Sequence, residues 1–137
     1  VTIIVDTGPL VAALDADDKH HRRCTEFLET VPGPLLVPVA VVVEVCQLVE
    51  KYRGSRAEAA FLTSLSNGDP RLVMPSKGDL ARAAELVGRY EDLPLGAVDA
   101  MVIATAERLG VDAVATLDHR HFSVVRPSHV RAFRLLP

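Results

Sequence analysis

Three carboxylates in this 137-residue chain stand where apolar packing would ordinarily exclude them. Asp6 closes the run Val1-Thr-Ile-Ile-Val5, Glu44 interrupts Val39-Ala-Val-Val-Val-Glu-Val-Cys46, and Asp99 lies within Leu95-Gly-Ala-Val-Asp-Ala-Met-Val-Ile-Ala104. An ionised carboxylate buried without a partner costs several kcal/mol, so each needs compensation. Crowded acids also raise one another's pKa unless a cation holds them together. No Lys or Arg lies inside these three motifs, which makes a bound metal the economical partner. Oxygen ligands with no His or Cys among them favour Mg2+, or Mn2+ in its place, over Zn2+. Such a cation, held by few carboxylates, keeps open positions for water and for a phosphodiester. A fourth acid, Asp118, follows the apolar Ala113-Val-Ala115.

Each acid also has a plain structural reading. Asp6 could start an Asx turn, Glu44 could bond a buried Arg, Asp99 could serve a helix dipole, and Asp118 could belong to a polar loop. The four together are more specific than any one of them.

The elements that must position these acids alternate along the chain. Val1 to Val5 reads as a buried strand ended by Asp6-Thr7-Gly8-Pro9, followed by a short helix at Leu10 to Leu14. Lys19 to Thr30 reads as a helix with Cys24, Phe27, Leu28 and Val31 inward, stopped by Pro32-Gly33-Pro34. Leu35 to Val37 is a strand, and Pro38 suits the first turn of a long helix running to about Tyr52. Gly54-Ser55 supplies a stop and a new N-cap for a helix from Ala57 to Leu65. A strand at Arg71 to Met74 precedes a Ser76-capped helix with apolar Leu80, Ala83, Ala84 and Val87. A helix at Leu95 to Leu109 stopped by Gly110, a strand at Ala113 to Ala115 and a last strand at Ala132 to Leu135 complete the chain. This alternation predicts one α/β domain over residues 1–137, with a mostly parallel sheet buried on both faces. Asp6 and Asp118 then lie at the carboxyl ends of strands, where open α/β sheets bind ligands, and Glu44 and Asp99 fall in the first turns of helices.

With 49% hydrophobic and 4% aromatic residues, the core is aliphatic and disorder is excluded. The apolar stretch from Leu35 to Cys46 is too short and too interrupted to span a bilayer. No export signal is recognisable, and Cys24 and Cys46 lack CxxC spacing, so the chain reads as cytoplasmic with reduced thiols. A net charge of -3 gives no general attraction to nucleic acid. Local patches must supply it. Lys19-His20-His21-Arg22-Arg23 and His119-Arg120-His121 are the candidates, with Arg22, Arg23, His119 and Arg120 as phosphate contacts; either group could equally be a solvated face.

Asp6-Thr7-Gly8-Pro9-Leu10, Val43-Glu44-Val45, the segment around Asp99, and Thr116-Leu-Asp118-His-Arg-His-Phe122 together resemble the PIN-domain ribonucleases, above all the VapC-type toxins of toxin-antitoxin pairs. The resemblance spans the chain in motif order. It implies an α/β/α sandwich, a Mg2+ site, endonucleolytic cleavage of cellular RNA such as tRNA or rRNA, a homodimer, and inhibition by a VapB-type antitoxin. It makes Asp6 and Asp99 the principal metal ligands, with Glu44 and Asp118 completing the site and Thr116 orienting a carboxylate or water. Gly8-Pro9 departs from the small pair that many relatives carry, which leaves Thr7 as the hydroxyl beside Asp6. A catalytically weak partner-binding scaffold and an RNA-processing nuclease outside a toxin-antitoxin pair are the alternatives. Aspartyl-nucleophile phosphatases need a second Asp where Gly8 stands. Phosphorelay receivers need an Asp ending the third strand, which here ends near Met74-Pro75.

Overall fold

A computed structural model describes residues 1–137. Five strands form one sheet: β1 (Ile3–Val5), β2 (Leu35–Pro38), β3 (Arg71–Val73), β4 (Ala113–Ala115) and β5 (Arg134–Leu136). All neighbours are parallel, in the order β3-β2-β1-β4-β5. The connecting helices are α1 (Thr7–Leu14), α2 (His21–Thr30), α3 (Val39–Arg53), α4 (Ser55–Ser66), α5 (Lys77–Arg89), α6 (Ala97–Leu109) and α7 (His119–Val124). The chain steps outward from β1 through β2 to β3, then returns to β4 and continues to β5. Right-handed crossovers running in opposite directions lie on opposite faces of a sheet, so this order gives the α/β/α sandwich. It also places the topological switch point between β1 and β4, where the carboxyl ends of the strands open a crevice.

β1 and β4 are fully buried, as strands covered on both sides must be, and their Ile, Val and Ala side chains belong to one continuous core of 27 buried residues. That core includes Phe122 of α7, which packs edge-on against Phe133 with 6.2 Å between ring centroids.

Several local expectations change. Pro38 ends β2 and caps α3 from outside, so Glu44 is the sixth residue of α3 and sits in its second turn. Asp99 does lie in the first turn of α6. Gly54, at φ 86°, ends α3 and begins α4, leaving Ser55 inside the helix. In α5 the buried apolar residues are Ala83 and Leu86, while Leu80 and Val87 are exposed. The helix is rotated because Asp79 turns inward to meet Arg108, at 3.0 Å. The last strand begins two residues later than expected, at Arg134. Residues 119–124 form a helix where a polar loop was one reading.

Candidate active site

Sheet hydrogen bonds run past the ends of β1 and β4 and fix the first two polar residues. Asp6 N–H donates to the Ala115 carbonyl and Thr116 N–H to that of Leu136, both at 2.8 Å. This brings the Thr116 hydroxyl to Asp6, where it donates to Oδ2 at 2.9 Å while accepting the Asp118 N–H at 2.9 Å. With one bond accepted and one donated, the hydroxyl proton has a defined direction.

Asp6 is only 5% exposed, and its other oxygen, Oδ1, is buried without a hydrogen-bond partner. The hydroxyl of Thr7 beside it is also buried and unpartnered. Burial, then the negative charge of Asp99, pushes the Asp6 carboxyl up to about 6, against the opposing hydrogen bonds from Thr7 and Thr116. Asp99 is raised too, by its own burial first, with His121 opposing and Asp118 and Glu44 adding repulsion.

Asp6, Thr7, Glu44, Asp99 and Asp118 line one open cavity of about 640 Å3, together with Gly8, the Gly96-Ala97-Val98 turn and Leu117. Glu44 arrives because α3 starts where β2 ends, and α3 and α6 touch each other. No Lys or Arg lines the cavity. Gly8 has a packing reason: a Cβ there would stand 3.2 Å from Cβ of Leu117. Glycine at this position therefore matches close contact between α1 and the loop after β4.

His121, offered by the sequence only as part of a basic patch, is bonded to the acids of the site instead. Its Nδ1 lies 2.7 Å from Asp99 Oδ2 and 3.0 Å from Asp118 Oδ2, and its backbone N–H donates to Asp118 Oδ1 at 3.1 Å. Since both partners are carboxylates, Nδ1 carries the proton in this arrangement. Asp118 is thus the N-cap of α7 and spends both oxygens on His121. The signal lay in an Asp followed three residues on by His, but it is readable only once α7 is known to be a helix.

The remaining predicted residues stay outside the cavity. His119 and Arg120 are exposed on α7. Arg22 and Arg23 are exposed on α2, and Arg22 shares a small cavity with Glu26 and Glu29.

The donor set fits a hard divalent cation. Repelling carboxylates with raised pKa, a buried oxygen on Asp6 with no partner, and an unpartnered Thr7 hydroxyl are the features a cation would relieve. Asp99, Asp118 and His121 also bring possible ligand atoms within 4.8 Å of one another, but with Nδ1–H donating to the carboxylates the imidazole serves there as their hydrogen-bond partner, and it would take a cation through Nδ1 only on giving up that proton.

The family model described as PIN domain matches residues 3–126. The chain belongs to the PIN domain family. This PIN-domain chain is 33% identical to the ribonuclease VapC26 of Mycobacterium tuberculosis, over 98% of its own length and all of that protein's. Among solved structures it resembles VapC20 of Mycobacterium tuberculosis, described as a sarcin-ricin loop cleaving toxin, at a TM-score of 0.80 and 21% identity, covering 94% of this chain and 98% of that one. It also resembles a chain of VapBC2 from Rickettsia felis, bound to a DNA fragment from their promoter, at a TM-score of 0.68 and 15% identity, covering 98% and 97%. At these identities the two structures speak for the fold. No helix of this PIN domain is long and apolar enough to cross a membrane.

Proposed function

We propose that this PIN domain is a metal-dependent endoribonuclease that acts as the toxin of a VapBC-type toxin-antitoxin pair and cleaves cellular RNA, thereby inhibiting translation. The observation that carries the reading is the convergence of Asp6, Glu44, Asp99 and Asp118 on one cavity with Asp6 Oδ1 left unpartnered. The ribonuclease name of the relative aligned over its full length supports the same activity.

Asp6 and Asp99 would hold the cation, Mg2+ or Mn2+, with Glu44 and Asp118 completing the charge. When bound it supplies Lewis acidity toward water and the phosphate oxygens. The protein's own share is positioning and proton handling. Thr116 fixes Asp6 Oδ2 and leaves Oδ1 buried and without a partner at the cavity wall. Glu44 makes no side-chain hydrogen bond of its own in the site, which leaves it free to take the proton of the attacking water in an in-line displacement. Asp118 acts through His121 and holds Asp99 in place. Exposed basic residues outside the cavity, with Arg120 and His119 on α7 as candidates, must offset the repulsion between an acidic site and a polyanion.

A VapB-type antitoxin is the expected partner, as the solved complexes of structural neighbours suggest. The apolar cavity bordered by Leu10, Leu14, Leu28 and Phe61 of α1, α2 and α4 offers it a seat. A homodimer is the expected assembly, in the cytoplasm.

Incubating the purified protein with total RNA, with Mg2+ and with EDTA, tests the reading. Endonucleolytic fragments with mapped internal ends are expected with Mg2+ only. Equal cleavage in EDTA, or none in either condition, overturns it.

A further inference from the structure

The acidic cavity lacks any cation of its own, so the groups that hold a substrate strand must come from its surroundings. Two basic stretches compete, and their neighbours decide between them. Lys19 to Arg23 is enclosed in sequence by Asp15, Asp17, Asp18, Glu26 and Glu29. Asp18 Oδ1 accepts the His20 N–H, and Arg22 faces Glu26 and Glu29 across its small cavity. That face is mixed in charge. Residues 119–134, by contrast, hold four arginines and three histidines and no acid, and of these arginines only Arg134 is paired, with Asp112 at 3.4 Å.

This second stretch starts at the site, because His121 is bonded to Asp99 and Asp118. It then runs along α7, whose six residues advance about 9 Å at the rise of a helix. Beyond α7 the chain has no regular structure until β5, yet it is pinned. Arg126 N–H donates to the Tyr90 hydroxyl at 3.1 Å, and Ser128 N–H to Glu107 Oε2 at 2.7 Å. The His129 ring donates through Nε2 to the Val111 carbonyl at 2.7 Å. Phe122, Val125 and Phe133 bury the apolar side chains of the segment. Arg126 and Arg131, both exposed, line one open cavity of about 660 Å3 with Ser123 and Pro127, and neither guanidinium joins an ion pair. A loop held rigid by its backbone that presents two unpaired guanidinium groups is preorganised for phosphate oxygens.

We infer that Arg126 and Arg131 form a phosphate-binding subsite for the RNA strand flanking the cleaved bond, which α7 links to the acidic cavity. The inference rests on the ribonuclease reading above. Arg126 is the last residue matched by the family model, and Arg131 lies past it.

The test is binding of a fluorescent single-stranded RNA of mixed sequence, in EDTA, across a KCl series. Each phosphate contact contributes about 0.7 to the slope of log affinity against log salt for single strands. R126Q/R131Q should lower the slope by about 1.4, R131Q alone by about half of that, and R126K/R131K should keep it, since lysine retains the charge. Thermal melts of the variants should match the wild type. An unchanged slope in both glutamine variants overturns the inference, as does a slope that falls with R22Q/R23Q instead. Metal-dependent cleavage by the wild type separates the two readings. With cleavage intact and the slope unchanged, only the subsite falls; with the slope reduced and no cleavage, the subsite stands and the nuclease reading falls.

Discussion

Two regions of this PIN domain bury carboxylates to a similar depth and treat them in opposite ways. Between α5 and α6, Asp79 is 3% exposed, caps α5 through Ser76 and takes the guanidinium of Arg108 at 3.0 Å. Nearby, the Glu107 side chain, 8% exposed, receives Arg82 at 2.8 and 3.0 Å and the Ser128 N–H. Burial would raise Glu107, but these donors hold it below its ordinary value. At the carboxyl edge of the sheet, Asp6 is equally buried, meets other acids instead of a cation, and is pushed up to about 6. A buried acid with its own counter-charge holds the fold together. A buried acid left without one is held ready for something that is not part of the chain.

The comparison breaks most visibly if neutralising an acid has the same effect in both places. Asp99→Asn keeps shape and removes charge, so cleavage of an RNA oligonucleotide in Mg2+ should fall by at least about 100-fold, a loss typical of removing one stabilising group from an active site. The melting temperature in EDTA should hold or rise, because repulsion with Asp6, Glu44 and Asp118 is relieved. Full activity of this variant would remove the proposed site. In the α5–α6 region, Arg82→Met should instead cost about 2–3 kcal/mol in urea unfolding, since Glu107 is left buried without its partner. Cleavage per folded molecule should be unaffected by that change. A stability loss under about 0.5 kcal/mol, the range of ordinary surface substitutions, would mean that the pair is ornamental.

The pH dependence sharpens the contrast because the two kinds of acid have opposite signs. Folded Asp6 keeps its proton to about pH 6, whereas the unfolded side chain releases it near 3.8. Between these values folding takes up a proton, so this contribution is fully present below about pH 4 and is lost as pH rises through 6. Glu107, whose folded pKa is lowered, contributes stability above its unfolded value that is lost as pH falls through the folded one. In EDTA, Asp6→Asn should therefore gain on the wild type by about 1–3 kcal/mol between pH 4 and 7, on the scale of 1.36 kcal/mol per pKa unit. Urea titrations at several pH values measure it. A gap that stays constant with pH would show that Asp6 is not the strained acid.

Most of what positions the site was legible in the sequence. β1, β2 and β4 are continuous apolar runs bounded by turn residues, so their carboxyl ends, and with them Asp6 and Asp118, could be placed. What could not be read depended on contacts between distant segments. The inward turn of α5 follows from Asp79 meeting Arg108, a pair 29 residues apart that overrides the apolar pattern of Leu80 and Val87. His121 was hidden because α7 is six residues long, has no period to detect, and is held by Phe122 against Phe133. Lys19 to Arg23 is the denser basic stretch in sequence, which did not separate it from His119 to His121; the acids around the first and the pinned loop at Arg126 separate them once the chain is folded.

The smallest expected effect tests the wall of the cavity itself, where α1 meets the loop after β4. Gly8 is the second residue of α1, in a conformation open to any residue, so alanine there should gain helix propensity, by up to about 1 kcal/mol relative to glycine. Against this, the new Cβ would meet Leu117 Cβ at 3.2 Å and its Cγ and Cδ1 at 3.3 Å, closer than ordinary packing. Leu117 is half-buried and borders the cavity; its Cγ and Cδ1 can turn away, but its Cβ moves only if the loop after β4 shifts by a few tenths of an ångström, and with that shift the two terms should nearly cancel at within about 0.5 kcal/mol. Leu117 precedes Asp118 directly, and Asp118 positions His121 and through it Asp99. A displacement of Leu117 should thus pass to the acids, lowering kcat a few-fold while thermal stability stays level. If Gly8→Ala instead melts much earlier with kcat intact, Leu117 is rigid packing rather than a movable wall, and the acids are insulated from the α1 contact.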